Sequence, residues 1–213
     1  VHGRTFWRLA KEKVDKIVFL GDYLDPYPAE GITTEDAIKE FEEIIEFKKN
    51  YNDKVILLYG NHDCHYSDLS IHITPCSRYD HRNAKRIEEI FKDNKDLFQL
   101  LYKTDKYLFS HAGVIRDWMV KECDCVVLSA LLRNQDLAYD HLWDISTIRG
   151  GYCQYGSCVW SDVREFVNQY SGVHQIFGHT QLSKEYFGTT FACLDCRKCF
   201  ILDINEQTIK ELL

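Results

Sequence analysis

The sequence contains no long apolar run and no excess of positive charge. None of its hydrophobic segments approaches the roughly 20 residues that a helix needs to cross a bilayer, so we expect a soluble protein without a membrane partner. The formal net charge is −7 over 213 residues, whereas a protein that binds nucleic acid regardless of its sequence needs a basic face. We therefore expect no stable nucleic-acid binding. An enzyme that acts on nucleotides stays open, because local charge matters more there.

Internal repeats, low-complexity tracts and linkers are also missing, and no secretory signal is visible. Hydrophobic residues make up 45% of the sequence, which is typical of a globular chain. The length suits one ordinary core, and we predict a single domain over residues 1–213. The nine cysteines are odd in number, so they cannot all pair within the chain. We expect reduced thiols and a cytoplasmic location.

Short runs of β-branched and aromatic residues predict buried strands, and apolar residues at helical spacing predict helices between them. The predicted strands cover residues 16–20, 55–59, 107–110 and 173–177. The predicted helices cover residues 35–49, 83–101, 114–135 and 161–169. Two alternating segments, 190–194 and 199–204, predict an antiparallel hairpin. The pattern as a whole predicts an α/β protein.

Four short motifs combine glycine with metal-ligating residue types, and most of them follow a predicted strand. They are GDYLD at 21–25, GNHD at 60–63, SHAG at 110–113 and GHT at 178–180, and a fifth, VHG, lies at 1–3. Strand ends of an α/β protein converge on one cleft. Two divalent cations about 3.5–4 Å apart need a bridging carboxylate with nitrogen and oxygen donors around it. The motifs therefore predict a two-metal phosphoesterase centre.

This ordered set of motifs resembles the calcineurin-like metallophosphoesterases, in particular the branch of the Ser/Thr protein phosphatases and their bacterial relatives. The resemblance spans nearly the whole sequence and implies a four-layer α/β sandwich, with two mixed β-sheets flanked by helices. It implies that His2 and Asp22 hold a first metal and that Asp22 also reaches a second one. Asn61, His111 and His179 would complete the second site. Manganese is the first choice of metal, with iron, zinc and nickel as alternatives.

The same resemblance implies that His62 protonates the leaving oxygen, that Asp25 orients His62, and that a metal-activated water attacks phosphorus. A neighbouring carboxylate stabilises imidazolium, which gives this pairing a physical reason. The expected substrate is a phosphate ester of a small molecule or a phosphoprotein. The alternative is a nucleotide such as a dinucleoside polyphosphate, so monoester, diester and anhydride stay open. A metal-binding scaffold is a third interpretation, but a scaffold needs no proton donor. The oligomeric state stays open.

Three departures from the family pattern matter. The sequence begins inside the first motif, so we expect a Gly-Asp pair and its strand before Val1. Pro26 follows Asp25 where the eukaryotic-type protein phosphatases carry a phosphate-binding arginine, and Gln181 stands where many relatives have a histidine. The planar fork of another arginine should then bind the phosphate. The candidates for this role are Arg149, Arg164 and Arg4.

Three cysteines near the end of the sequence have the C-x-x-C spacing of a zinc site. A structural zinc site needs four ligands in a tetrahedral arrangement. Cys193 and Cys199, however, fall within predicted strands, where cysteine commonly packs as a small hydrophobic residue. We therefore favour core packing for these two and for Cys196.

Overall fold

The computed structural model describes residues 5–69, 76–119, 141–166 and 172–212. Helices α1 to α4 span Trp7–Ala10, Thr34–Asn50, Asn61–Cys64 and Ala84–Asn94. Strands β1 to β5 span Ile17–Phe19, Val55–Leu58, Phe98–Gln99, Leu101–Lys103 and Tyr107–Ser110. Strands β6 to β10 span His174–Phe177, Tyr186–Phe187, Phe191–Cys193, Phe200–Asp203 and Thr208–Glu211. The predicted α/β class is confirmed.

The strands form two main sheets and one separate hairpin. The first sheet has the order β1-β2-β3 and is parallel, with Val18 opposite Ile56. The second is mixed and has the order β4-β5-β6-β8-β7; its central strands β5, β6 and β8 are parallel to one another. Strands β9 and β10 pair antiparallel. The parallel pairs bring the carboxyl ends of their strands to one edge.

The two main sheets pack face to face through alternate residues of their strands. Ile56 and Leu58 of β2 lie in the same hydrophobic cluster as Phe109 of β5 and Ile176 of β6. Because side chains alternate across a strand, Val55 and Leu57 of β2 lie on the opposite face, in the larger cluster. One face of the first sheet therefore meets the second sheet, and the other is left for helices.

Helix α2 covers that outer face of the first sheet. It begins after Thr33, whose hydroxyl accepts the backbone N–H of Asp36 while the Asp36 carboxylate accepts the N–H of Thr33. This reciprocal pair satisfies two N–H groups that the first turn leaves open. Ile38 and Phe41 of α2 are fully buried in the cluster that contains Leu57 of β2. The predicted apolar stripe of this helix is confirmed.

The four predicted strands are present to within one residue at each end, but two of the predicted helices differ from the structure. Helix α4 ends at Asn94 rather than continuing to residue 101, because Phe98 pairs with Leu57 and adds β3 to the first sheet. Pairing between distant segments here overrides the helical spacing. Segment 161–169 contains only a short 3₁₀ turn, Val163–Glu165, among its described residues.

The predicted hairpin between residues 190–194 and 199–204 is wrong. Strand β8 is buried at all three positions and lies between β6 and β7, while β9 pairs with β10. The Asp203 carboxylate accepts the N–H groups of Asn205 and Glu206, and such an Asx turn reverses the chain locally. This turn directs β9 towards β10.

No helix in the described ranges is long and apolar enough to cross a membrane. Several predicted features fall on residues that these ranges leave out, so they stay predictions. They are His2, Arg4 and the part of the predicted helix 114–135 from residue 120 onward.

Candidate active site

Four of the predicted ligands follow the carboxyl ends of four parallel strands. Asp22 and Asn61 come shortly after β1 and β2 of the first sheet. His111 and His179 come shortly after β5 and β6 of the second sheet. Ligands are usually bound beyond such strand ends in α/β proteins. The two sheets contribute equally to the centre.

The ligand atoms of these residues converge on the Nε2 atom of His111. This atom lies 3.0 Å from Asn61 Oδ1, 3.1 Å from His179 Nδ1 and 3.6 Å from Asp22 Oδ2. The Nδ1–H of His111 donates to the Leu20 carbonyl at 2.7 Å, so in the neutral ring Nε2 carries a lone pair. That lone pair faces an amide oxygen and a carboxylate, which also accept.

Such a set of facing lone pairs is stable only with a proton or a cation among them. Two imidazoles, one amide oxygen and one carboxylate form a donor set that suits a divalent transition metal. The structure accordingly brings Asp22, His111 and His179 together as a candidate metal-binding group. The residues that lie here fit the metal that the motifs predict.

The charge states of these groups also favour a cation. Burial raises the pKa of Asp22, but its interactions with His111, His62 and His179 outweigh burial and lower it to about 2. Burial lowers the pKa of His179 well below its ordinary value, and His111 and Arg149 lower it further. Metal binding needs an ionised carboxylate and a neutral imidazole. Both are the favoured states at neutral pH.

Asp63, in α3, joins the segments after β1 and β2 that carry the predicted ligands Asp22 and Asn61, a role that the sequence analysis missed. Its fully buried carboxylate accepts the N–H groups of Asp22 at 2.7 Å, Gly60 at 2.8 Å and Tyr23 at 3.0 Å. Gly21 lies so close to the Gly60 backbone that a Cβ at Gly21 would collide with it. The glycines of the two motifs therefore allow the approach, and Asp63 fixes it.

A buried acid–base pair lies beside the ligand cluster. His62 Nδ1–H donates to Asp25 Oδ2 at 2.8 Å, and the Tyr66 hydroxyl donates to Asp25 Oδ1 at 2.6 Å. All three side chains are at least nine-tenths buried. Burial lowers the pKa of His62, but Asp22 and the hydrogen bond to Asp25 outweigh burial and raise it to about 11 in the metal-free centre. A cation bound by Asp22 would offset the first of these two raising effects.

A loop that no sequence motif marked surrounds this pair. Cys76 Sγ lies 3.1 Å from His62 Nδ1, and Arg78 Nη2 lies 3.0 Å from His62 Nε2. The Asp80 N–H donates to the Tyr66 hydroxyl at 2.7 Å. Among the described residues, Asp25, His62 and Cys76 form the second group that could hold a metal. Cys193, Cys196 and Cys199 form no such group there.

Several residues of the site have a left-handed backbone, which costs about 1–3 kcal/mol at a residue other than glycine. The φ angles are +59° at Asp22, +52° at Asp25, +63° at His179 and +70° at Arg78. Aspartate and histidine tolerate this conformation better than most residues, whereas Arg78 is a genuine outlier. Strain of this kind clusters at functional sites.

Two of the predicted phosphate-binding arginines share one carboxylate, and Arg4 lies outside the described residues. Arg149 and Arg164 both pair with the Asp162 carboxylate, at 2.9 Å and 2.8 Å. Arg149 also reaches the Thr180 hydroxyl at 2.9 Å, whereas the Arg164 side chain is 66% exposed. The roles of Arg149, Arg164 and Arg4 stay predictions.

A cleft of about 270 Å³ opens over the ligand cluster. Asp22, Asp25, His111 and His179 line it together with Asp195 from the turn after β8. The other charged residues of its lining carry both signs; they are Glu30, Arg78, Arg197 and Lys198. The volume suits a small polar group rather than a large apolar ligand.

Residues 3–182 match the family of calcineurin-like phosphoesterases. The fold is similar to that of the cold-active protein-tyrosine phosphatase of a psychrophilic Shewanella species, with a TM-score of 0.51 over 92% of this chain and 69% of that chain. The identity is 15%, so this likeness concerns the fold alone. No curated protein matches the chain. The family match covers most of the sequence, and the chain therefore belongs to the calcineurin-like phosphoesterases, which are metal-dependent phosphoester hydrolases.

Proposed function

We propose that this protein hydrolyses phosphate monoesters of small molecules or phosphoproteins, as a relative of the Ser/Thr protein phosphatases, with two divalent cations in its centre. The observation that carries the proposal is the buried pair of His62 and Asp25 beside four converging ligand side chains. A protein that only binds metal has no use for an oriented proton donor next to it. Hydrolysis of a phosphoester uses both a metal centre and a proton donor for the leaving oxygen.

Asp22, Asn61, His111 and His179 would hold one cation, and Asp22 would share the other with His2. Manganese is our first choice, because the mixed nitrogen and oxygen donors suit it. Bound cations would supply the positive charge that holds the phosphoryl oxygens and lowers the pKa of a water molecule. The chain supplies the remaining functions through its own side chains.

His62 is the proposed general acid. Its Nδ1–H donates to Asp25, and the second Asp25 oxygen is held by Tyr66, so the ring orientation is fixed. Nε2 is then the nitrogen that holds the proton for the leaving oxygen. A nearby carboxylate stabilises the imidazolium that this role requires. Proton donation from a positioned side chain contributes about 10²–10⁴-fold to a rate.

We propose a cytoplasmic location, which free thiols support because disulfides persist mainly in oxidising compartments. The free cysteines of the structure include Cys64, Cys76, Cys158, Cys193, Cys196 and Cys199.

The test is a substrate screen with manganese added. It compares p-nitrophenyl phosphate, its bis-ester, a phosphopeptide and a dinucleoside polyphosphate. We expect the two monoesters to react fastest. A preference for the dinucleoside polyphosphate would favour the nucleotide alternative, and no turnover of any compound would favour a scaffold.

The variant His62→Asn tests the acid. Turnover should fall by about 10²-fold or more while the metal content, measured by elemental analysis, stays near that of the wild type. The exposed His81 gives the matched control, His81→Asn, which should retain full turnover. Loss of metal in parallel with activity in His62→Asn would contradict the role of His62.

A further inference from the structure

Arg78 contacts the atom of His62 that acid catalysis needs. Its Nη2 lies 3.0 Å from His62 Nε2, the ring nitrogen that does not bond to the Asp25 carboxylate. A guanidinium only donates hydrogen bonds, so this contact requires a lone pair on Nε2. Protonated His62 and Arg78 are both cationic donors and cannot bond to each other. An anion that accepts a hydrogen bond from each group would take the place of this contact.

The guanidinium of Arg78 is fixed in this position from two further sides. Its Nε–H donates to the Asp25 carbonyl oxygen at 3.0 Å, and its Cζ lies 3.7 Å from the ring centroid of Tyr27. Stacking on an aromatic face restrains the plane of the group. The left-handed backbone of Arg78, with φ +70°, adds a cost that the surrounding contacts must offset. These contacts hold the guanidinium of Arg78 in one orientation at the cleft.

The charge of Arg78 is not neutralised by a carboxylate in the part of the chain that the structure describes. Its contacts there are the Asp25 carbonyl, the Ser77 hydroxyl, His62 and the Tyr27 ring. Arg149 and Arg164, in contrast, both pair with the Asp162 carboxylate. Of these three arginines, Arg78 alone lines the cleft above the ligand cluster.

We propose that Arg78 binds the phosphoryl group of the substrate and sets a preference for a monoester over a diester; this inference rests on the proposed function. On binding, the phosphoryl oxygens replace His62 as the partner of the guanidinium. The contact between the guanidinium and His62 Nε2 is thereby broken, which leaves this nitrogen free to face the leaving oxygen. The forked donors of Arg78 match two charged oxygens of a monoester, whereas a diester offers only one negative charge.

The kinetic test uses the manganese-loaded protein and the variants Arg78→Gln and Arg78→Lys. For p-nitrophenyl phosphate, Arg78→Gln should lower kcat/KM by about 10- to 100-fold, the range expected for a charge-assisted hydrogen bond. For bis-p-nitrophenyl phosphate the loss should be less than about fivefold. Arg78→Lys should lie between Gln and the wild type, because lysine keeps the charge without the fork.

The matched control is Arg86→Gln, which removes the same charge from the surface of α4, where Arg86 pairs with Glu35 and Glu42. It should leave both substrates unaffected. Equal losses for the monoester and the diester in Arg78→Gln would overturn the proposal, because a merely structural role would lower both alike.

A binding measurement separates this inference from the proposed function. Inorganic phosphate is titrated calorimetrically into the metal-loaded wild type, Arg78→Gln and Arg86→Gln. Phosphate should bind about tenfold more weakly to Arg78→Gln than to the other two. Unchanged phosphate affinity would overturn the role of Arg78 even in an active enzyme. An inactive wild type whose phosphate binding depends on Arg78 would refute only the proposed hydrolysis.

Discussion

The carboxylate of Asp63 holds the loop after β1 against the start of α3, and its replacement by asparagine tests that role. Asp63 accepts three backbone N–H groups, two at Oδ2 and one at Oδ1. Asparagine keeps one acceptor oxygen and places an NH₂ group at the other position. In the better orientation, the amide oxygen accepts the N–H groups of Asp22 and Gly60, and the NH₂ group faces the N–H of Tyr23.

The expected cost follows from that count. One buried N–H without an acceptor costs about 1–3 kcal/mol, and the two remaining bonds lose their charge assistance, which roughly doubles the strength of such bonds. Burial and the repulsion from Asp22 raise the pKa of Asp63 to about 7. The asparagine variant loses this repulsion, which offsets a part of the cost in stability. We expect a net loss of about 2 kcal/mol in the free energy of unfolding.

The assay is urea and thermal unfolding at pH 8 in the presence of a chelator, so that metal binding does not contribute. For a chain of this length, 2 kcal/mol corresponds to a fall in Tm of about 4–8 °C. Turnover with metal restored should fall about 100-fold, because Asp63 holds the loop of Asp22 against α3, which carries His62. Asp93→Asn, on the exposed side of α4, is the matched control. A loss below about 0.5 kcal/mol in Asp63→Asn, the usual range of surface substitutions, would refute the reasoning.

Two further predictions concern the metal and the pH. Manganese at about 100 times its Kd should stabilise the metal-free protein by about 2.7 kcal/mol, which corresponds to a Tm rise of about 5–10 °C. Asn61→Ala should lose most of this rise, whereas the control His81→Ala should keep all of it. An equal rise in the wild type and both variants would contradict the proposed ligand set. Burial raises the pKa of Asp162, but its hydrogen bonds with Arg164 and the charge of Arg149 outweigh burial and lower it. A depressed carboxyl pKa stabilises the fold above the unfolded value of about 3.9. The extra stability of the wild type over Asp162→Asn in urea unfolding should therefore be constant above about pH 5 and shrink below about pH 4; a difference that does not change with pH would contradict the pairing.

The sequence predicts the elements that carry ligands because two independent signals coincide there. Buried strands leave short apolar runs, and the residues that follow them are glycine beside Asp, Asn or His. Strands β1, β2, β5 and β6 satisfy both conditions, and the family is confirmed by the match over residues 3–182. Asp22, Asn61, His111 and His179 consequently come together without any knowledge of the loops between them.

The sequence does not predict residues whose role depends on a loop conformation. Arg78 has no motif around it, and its position beside His62 follows from its left-handed backbone and its stacking on Tyr27. The sequence makes both Arg149 and Arg164 candidates, because a single sequence does not show that Asp162 pairs with both. The end of α4 is missed for a similar reason, since only pairing with β2 makes a strand of Phe98.

The backbone of Asp22 links the fold of the site to its chemistry. Its left-handed φ of +59° accompanies an N–H that donates to Asp63 and a carboxylate that accepts the His62 N–H at 3.1 Å while facing His111. A shift of this carboxylate would therefore break its hydrogen bond to α3 and move it away from His111. Ligands that are held by such surrounding bonds keep their geometry before a cation arrives. We infer that metal binding needs little rearrangement of Asp22. The free-energy cost of its left-handed backbone is then offset during folding and not during catalysis.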